Sequence, residues 1–358
     1  MSSDGLTRRE ALARGAGAVV ATGLAATGAY WLSHRSGVAR PSAAPRLPNY
    51  FASIDLPDAS PRLSIATGDE ARIDAMVRAA VGGLDAQLGM RRFITANDTV
   101  VIKPNAGFDR PPSLGATTHP EVLRTVIRLC REAGAQRVIV TDYPIESPEA
   151  CFARSGLGAV ATAEGADLVW PSPGMFELLT VRAQAARDRG EALERWPIFT
   201  RLLRQATKLI GIAPVKDHNL AGGSMQLKNW YGLLGGRRNQ LHQAIHEVIS
   251  DVALLFSPTL VIADGTRVML RSGPTGGRLS DVQPGGVLNR PAVVASVDPV
   301  ACDAWCYENL LGRNPGTLRY LELAHAKIAA ETAAGVRRHG ERDWRRYATD
   351  GRIVTTDV

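Results

Sequence analysis

Lysine is nearly absent from this 358-residue chain, where five lysines stand against 37 arginines. Arginine supplies the solvated positive charge. A retained lysine therefore points to a task for a compact ammonium, which can also lose its proton when buried. Three of the five fall inside short polar motifs: Lys103 in Val-Ile-Lys-Pro-Asn, Lys216 in Pro-Val-Lys-Asp-His and Lys228 in Gln-Leu-Lys-Asn-Trp.

Other absences narrow the chemistry. The four cysteines, Cys130, Cys151, Cys302 and Cys306, form no Cys-x-x-Cys. The usual spacings of zinc ribbons and iron–sulfur sites are thus missing, and no iron–sulfur cluster is expected. Cys302 and Cys306 lie one helical turn apart among apolar neighbours and read as buried thiols; nothing demands a disulfide. There is no Gly-x-Ser-x-Gly, no phosphate loop ending in Gly-Lys-Ser/Thr, no Gly-x-Gly-x-x-Gly after the first strand and no His-Glu-x-x-His. There is no basic run either. Beyond the first 44 residues the chain holds 37 basic and 33 acidic side chains, a spread excess that excludes nucleic acid as a partner and leaves room for a small anionic ligand.

Residues 1–44 read as an address. Arg8-Arg9 precedes an uncharged stretch from Gly15 to Leu32, rich in Ala, Gly and Thr, and residues 45–60 follow as a linker. A twin arginine before a weakly hydrophobic segment is the signal of the twin-arginine (Tat) export route. The Tat translocase is then a partner during export, and the protein is periplasmic or anchored at the outer face of the inner membrane through residues 16–32. That segment is short and glycine-laden for a lasting span.

From residue 61 strand-like and helix-like runs alternate. Residues 62–67, 99–103, 137–141, 166–170, 208–214, 260–263 and 292–297 read as strands. Residues 69–88, 119–133, 241–256 and 298–311 read as helices. This pattern predicts an α/β fold, a mostly parallel sheet with helices on both faces in a three-layer, Rossmann-like single large domain over 61–315. Residues 174–205, of mixed charge, read as a helical insertion. Residues 316–358 read as a helical extension ending in an edge strand.

Several apolar runs deliver a polar side chain at their carboxyl ends. Lys103 and Asn105 follow one, Asp142 another, Lys216 and His218 a third, Asp264 a fourth and Asp298 a fifth. In open parallel sheets ligands bind beyond those ends, so one shared pocket is expected. Asp142 and Asp298 also suit helix caps, and Asp264-Gly265 also suits a turn. Glycines flank the segment 225–232, which carries Lys228 and Asn229, and let backbone approach a ligand. His242 and His246 lie four apart on an expected helix and so share a face. Metal ligation, proton transfer and packing all remain open for the pair, and a divalent metal is a candidate cofactor.

Taken in order, Lys103-Pro104-Asn105, Thr118-His119-Pro120, Val215-Lys216-Asp217-His218, Leu227-Lys228-Asn229, His242, Ala263-Asp264-Gly265, Gly273-Pro274 and Asp298 through Asp303 resemble the family catalogued as domain of unknown function 362, over roughly residues 60–315. The resemblance implies an α/β fold and a site at these lysine, histidine and aspartate positions. Ferredoxin-like modules of some relatives are missing here. At the level of fold alone, the architecture is similar to that of the nickel-pincer lactate racemases.

The reading that follows is an exported enzyme acting on a small carboxylate or phosphate; the alternative is a non-catalytic periplasmic protein binding a ligand or metal. Lys216, His218, Lys228, His242 and Asp264 are the expected catalytic residues. Lys103, Asn105, Asn229, Asp298 and Asp303 are expected to bind the ligand, and His242 with His246 to hold any metal.

Overall fold

The computed structural model describes residues 46–180 and 195–358, with the backbone of Arg40 and Pro41. The export signal expected in 1–44 lies outside the described residues.

Short apolar runs form the main sheet: β1 Leu63–Thr67, β2 Thr99–Lys103, β3 Arg137–Val140, β4 Asp167–Leu168, β5 Lys208–His218, β6 Leu260–Met269, β7 Ala292–Ser296 and β8 Ile353–Asp357. Their spatial order is β8-β1-β7-β6-β5-β2-β3-β4, and two short strands, Gly222–Ser224 and Val282–Gln283, bring the sheet to ten. Only β7 opposes its neighbours on this path, pairing antiparallel with both β6 and β1.

Successive side chains of a strand point to opposite faces, and here both faces are buried. Val101, Leu209 and Val261 belong to one core; Val100, Ile102, Ile210 and Ile262 belong to the other. The second core is closed by α1 (Ile73–Gly82) through Met76, Val77 and Ala80, and by α2 (Pro120–Glu132) through Val122, Leu123 and Val126. The first is closed by α3 (Ile245–Leu255), α4 (Pro299–Asn309) and α5 (Arg319–Ala333). The protein is thus a single-domain α/β fold with a mostly parallel sheet between helical layers. All four cysteines are buried and free.

Three expectations change. Residues 176–180 and 195–199 are strands of an antiparallel pair, not a helix. Phe176 and Leu179 on one strand and Ile198 and Phe199 on the other are buried in the main core, which mixed charge nearby had masked; 181–194 lie outside the described residues. Because β7 runs backwards, Asp298 emerges at the edge opposite the ends of β2, β3 and β5. There it caps α4, its Oδ1 accepting from the N–H groups of Val300 and Ala301 at 2.9 and 3.0 Å, with Pro299 in the first turn. Asp264 does not end its strand, because β6 continues to Met269.

Candidate functional site

The ends of β2, β3 and β5 converge on a cleft that opens to solvent and spans about 540 Å3 with the open space at its mouth included. Lys103 ends β2, and the chain leaving β3 supplies Asp142. Lys103 Nζ lies 2.7 Å from Asp142 Oδ1, with both side chains almost wholly buried. The same ammonium donates to Asn229 Oδ1 at 2.8 Å and to the Pro104 carbonyl at 3.1 Å. Asp142 also accepts from the backbone N–H groups of Ala106 and Tyr143, both at 2.8 Å. Each charge is therefore satisfied on several sides, as a buried pair requires. Gly232 lies against this pair so closely that a Cβ there would stand 2.6 Å from Asp142 Oδ1 and 3.0 Å from Lys103 Nζ.

Asn229 ties the strands together. Its Nδ2 donates to the carbonyls of Lys103 at 3.1 Å and Ile212 at 3.2 Å, and its Oδ1 also accepts from Asn105 Nδ2 at 3.3 Å. The short helix Gln226–Asn229 that carries Lys228 is held from below by Asp303 on α4. That carboxylate accepts from the N–H groups of Gln226 and Leu227 at 2.8 and 3.0 Å. Complete burial raises the Asp303 carboxyl to about 7 despite those two hydrogen bonds.

Three cations facing the cleft have no carboxylate at ion-pair distance among the described residues: Lys216, Lys228 and Arg238. Lys216 Nζ donates to the Ala116 carbonyl and, at 3.3 Å, to Asn105 Oδ1, above the Phe108 ring. Burial, followed by the charges of Lys228 and Lys103, holds its pKa well below the usual lysine range. Lys228 lies over Tyr231, and burial with Arg238 and Lys103 lowers it to about 8. Arg238 stacks on Tyr143 at 4.4 Å and donates to the Pro144 carbonyl at 2.6 Å.

The histidines differ. His218 Nδ1 accepts from the N–H groups of Leu220 and Ala221, each at 3.2 Å, so its proton sits on Nε2. Burial, then Lys228 and Lys216, depress its pKa to about 2, which keeps the ring neutral and a donor. It stands beside the cleft lining rather than in it. His242 lines the cleft, and its Nδ1 lies 2.9 Å from the Asn239 carbonyl. A carbonyl only accepts, so in neutral His242 the Nε2 lone pair is free to take a proton.

Two other expected members stand elsewhere. Asp264 holds the start of α2, accepting from His119 N at 2.7 Å and from the Thr266 hydroxyl at 2.6 Å. His246 does not continue the face of His242. His242 lies in a 3-10 segment, and the chain breaks at Ala244 (φ −127°, ψ 47°) before α3 begins. His246 stacks on Tyr320 instead. Among the described residues no group of three or more His, Cys, Asp or Glu side chains is placed to hold a metal ion. His218 lies within the charge field of both His242 and His246.

Arg238 and the three rings were not read from the sequence. Arginine is so common here that one more carries no signal, and aromatic positions acquire meaning only when a cation is found above them.

An α/β domain with a cation-lined cleft at the carboxyl ends of three parallel strands is the class that fold and site define. The chain belongs to the family described as Domain of unknown function (DUF362), which matches residues 100–308 and so includes the whole cleft lining. A thylakoid-associated protein of Synechocystis sp. is 23% identical over 244 residues, covering 63% of this chain and 72% of that protein. Among solved structures, the lactate racemase apoprotein of Thermoanaerobacterium thermosaccharolyticum is 15% identical with a TM-score of 0.35, covering 60% of this chain and 52% of that one. A protein from Thermotoga maritima is 10% identical with a TM-score of 0.32, covering 74% and 59%. The chain thus spans between half and three-fifths of the length of these two solved chains.

Proposed function

We propose that the cleft is the active site of an enzyme acting on a small organic anion, a carboxylate or a phosphate. The observation that carries this reading is Lys216, a buried amine with no carboxylate at ion-pair distance among the described residues, set in the charge field of Lys228 and Lys103. Two of the other buried lysines are paired with carboxylates, Lys103 with Asp142 and Lys327 with Asp251, while Lys208, away from the cleft, donates to the Ser53 hydroxyl. Lys228 and Arg238 hold the anionic group. Lys216 gives up two N–H groups to Asn105 and the Ala116 carbonyl; when neutral it keeps a lone pair for use as a base or nucleophile. His242 takes or returns a proton, and neutral His218 stands behind the lining near Lys216 and Lys228 without adding to their charge. Asn105 and Asn229 fix the amines, while Asp303 and Asp264 position backbone.

Small carboxylates and phosphate esters, incubated with the protein and followed by NMR, test this. Conversion by the wild type that is lost in a folded, anion-binding Lys216→Met variant supports the reading. Conversion that survives the substitution removes Lys216 from the chemistry, and saturable binding without conversion makes the protein a carrier.

Export by the Tat route is part of the proposal and rests on Arg8-Arg9 before the uncharged segment. No helix of the described residues is long and apolar enough to cross a membrane, and 16–32 lie outside them. Residues 1–44 fused to a reporter that matures only after folding would be exported. Arg8→Lys with Arg9→Lys would stop it, and export that continues would refute the assignment.

A further inference from the structure

Charge accounting in the cleft goes further than the sign of the ligand. Four cationic side chains line it, Lys103, Lys216, Lys228 and Arg238, against one carboxylate, Asp142. Asp142 is 2.7 Å from Lys103 and is consumed by it and by two backbone N–H groups. Three cations are left, and ring faces stabilise them without cancelling any charge.

Cations crowded into a partly dry cleft repel one another, and the protein has few ways to relieve this. Arginine does not deprotonate in proteins, so Arg238 keeps its charge. Lys216 is the most enclosed of the three and is 1% exposed. Its amine is already engaged by the Ala116 carbonyl and Asn105 Oδ1, and burial beside Lys228 and Lys103 favours its neutral form. The empty cleft then retains two positive charges, on Lys228 and Arg238.

We propose that the ligand of this cleft is a dianion, with two negative charges on a compact oxyanion head such as a phosphate monoester or a short dicarboxylate. This rests on the reading of the cleft as an anion site and names the class of anion. A monoanion leaves one of the two cations uncompensated in the cleft, whereas a dianion matches both. The two rigid anchors differ in kind. Arg238 is clamped between the Tyr143 ring and the Pro144 carbonyl, and Lys228 extends from a helical turn fixed by Asp303. The ligand therefore meets a preset pair of charges rather than mobile surface side chains.

The test is calorimetric titration at about pH 7.5, where a phosphate monoester is largely dianionic. Methyl phosphate is compared with dimethyl phosphate, and succinate with its monoamide. The dianion of at least one pair is expected to bind about tenfold tighter or more than its monoanionic partner, or about 1.4 kcal/mol. Which pair shows the larger ratio separates phosphate from dicarboxylate. Lys228→Met and Arg238→Met are each expected to reduce that ratio. Equal affinities within both pairs would overturn the dianion assignment and leave an anion site standing. No saturable binding of any of the four compounds would overturn both.

Discussion

Lys216 Nζ sits 5.0 Å from the centre of the Phe108 ring, and no carboxylate among the described residues reaches it. The same arrangement recurs with Lys228 over Tyr231 at 4.9 Å and Arg238 over Tyr143 at 4.4 Å. A ring face contributes about 0.5–2 kcal/mol toward holding a cation and leaves its charge available. A carboxylate would hold the cation more firmly and remove it from use, which is the condition of Lys103 beside Asp142.

That contrast predicts the effect of Asp142→Asn. Removing one member of a buried pair leaves the other charge uncompensated, at a cost of about 3–5 kcal/mol. Urea unfolding is expected to show this loss, with much of it recovered in the Lys103→Met, Asp142→Asn double variant. An unchanged midpoint in the single variant would mean that the pair contributes nothing to stability.

Gly232→Ala addresses the same pair by volume. The new methyl would stand 2.6 Å from Asp142 Oδ1, and overpacking of this kind costs about 1–3 kcal/mol. Both stability and anion affinity are expected to fall. Gly174→Ala is the control, because a Cβ there meets nothing within 4 Å.

Lys228 sets a pH dependence. Its folded pKa, about 8, lies below the unfolded value near 10.4. The stability it contributes is therefore present above the unfolded value and lost as pH falls through about 8. Binding has the opposite sense, since an anion needs the charged form: affinity should hold below about 8 and decline above it. Lys103, Lys216, His218 and Arg238 share this field and Tyr231 lies against the amine, so the comparison is with Lys228→Met. A decline of equal size and midpoint in that variant would assign it to another group.

Asp303 sets a second pH dependence, in stability. Its folded pKa is raised to about 7 from an unfolded value near 3.9. The stability this contributes is fully present below the unfolded value and is lost as pH rises through about 7. Urea midpoints are expected to show the wild type losing ground relative to Asp303→Asn between about pH 4 and pH 7. A difference that does not vary with pH would show that the carboxyl does not titrate there.

The alternation of apolar strands and amphipathic helices was legible in the sequence, because burial of both sheet faces demands apolar runs at those positions. The lysines were legible through rarity. Lys103, Lys208, Lys216 and Lys327 are buried and Lys228 is half-buried, so this chain keeps no lysine for its exposed surface. What local sequence could not carry was direction and company. An apolar run reads the same whichever way its strand enters a sheet, so only the antiparallel pairing of β7 showed that Asp298 caps a helix at the far edge. The spacing of His242 and His246 presumed a continuous helix that Ala244 interrupts. Arg238 was one arginine among 37 until tertiary packing set it over Tyr143 and beside Lys228. Residue type and pattern decided which side chains are buried; a shared charge field depends on distances between segments far apart in the chain, and those only the fold decides.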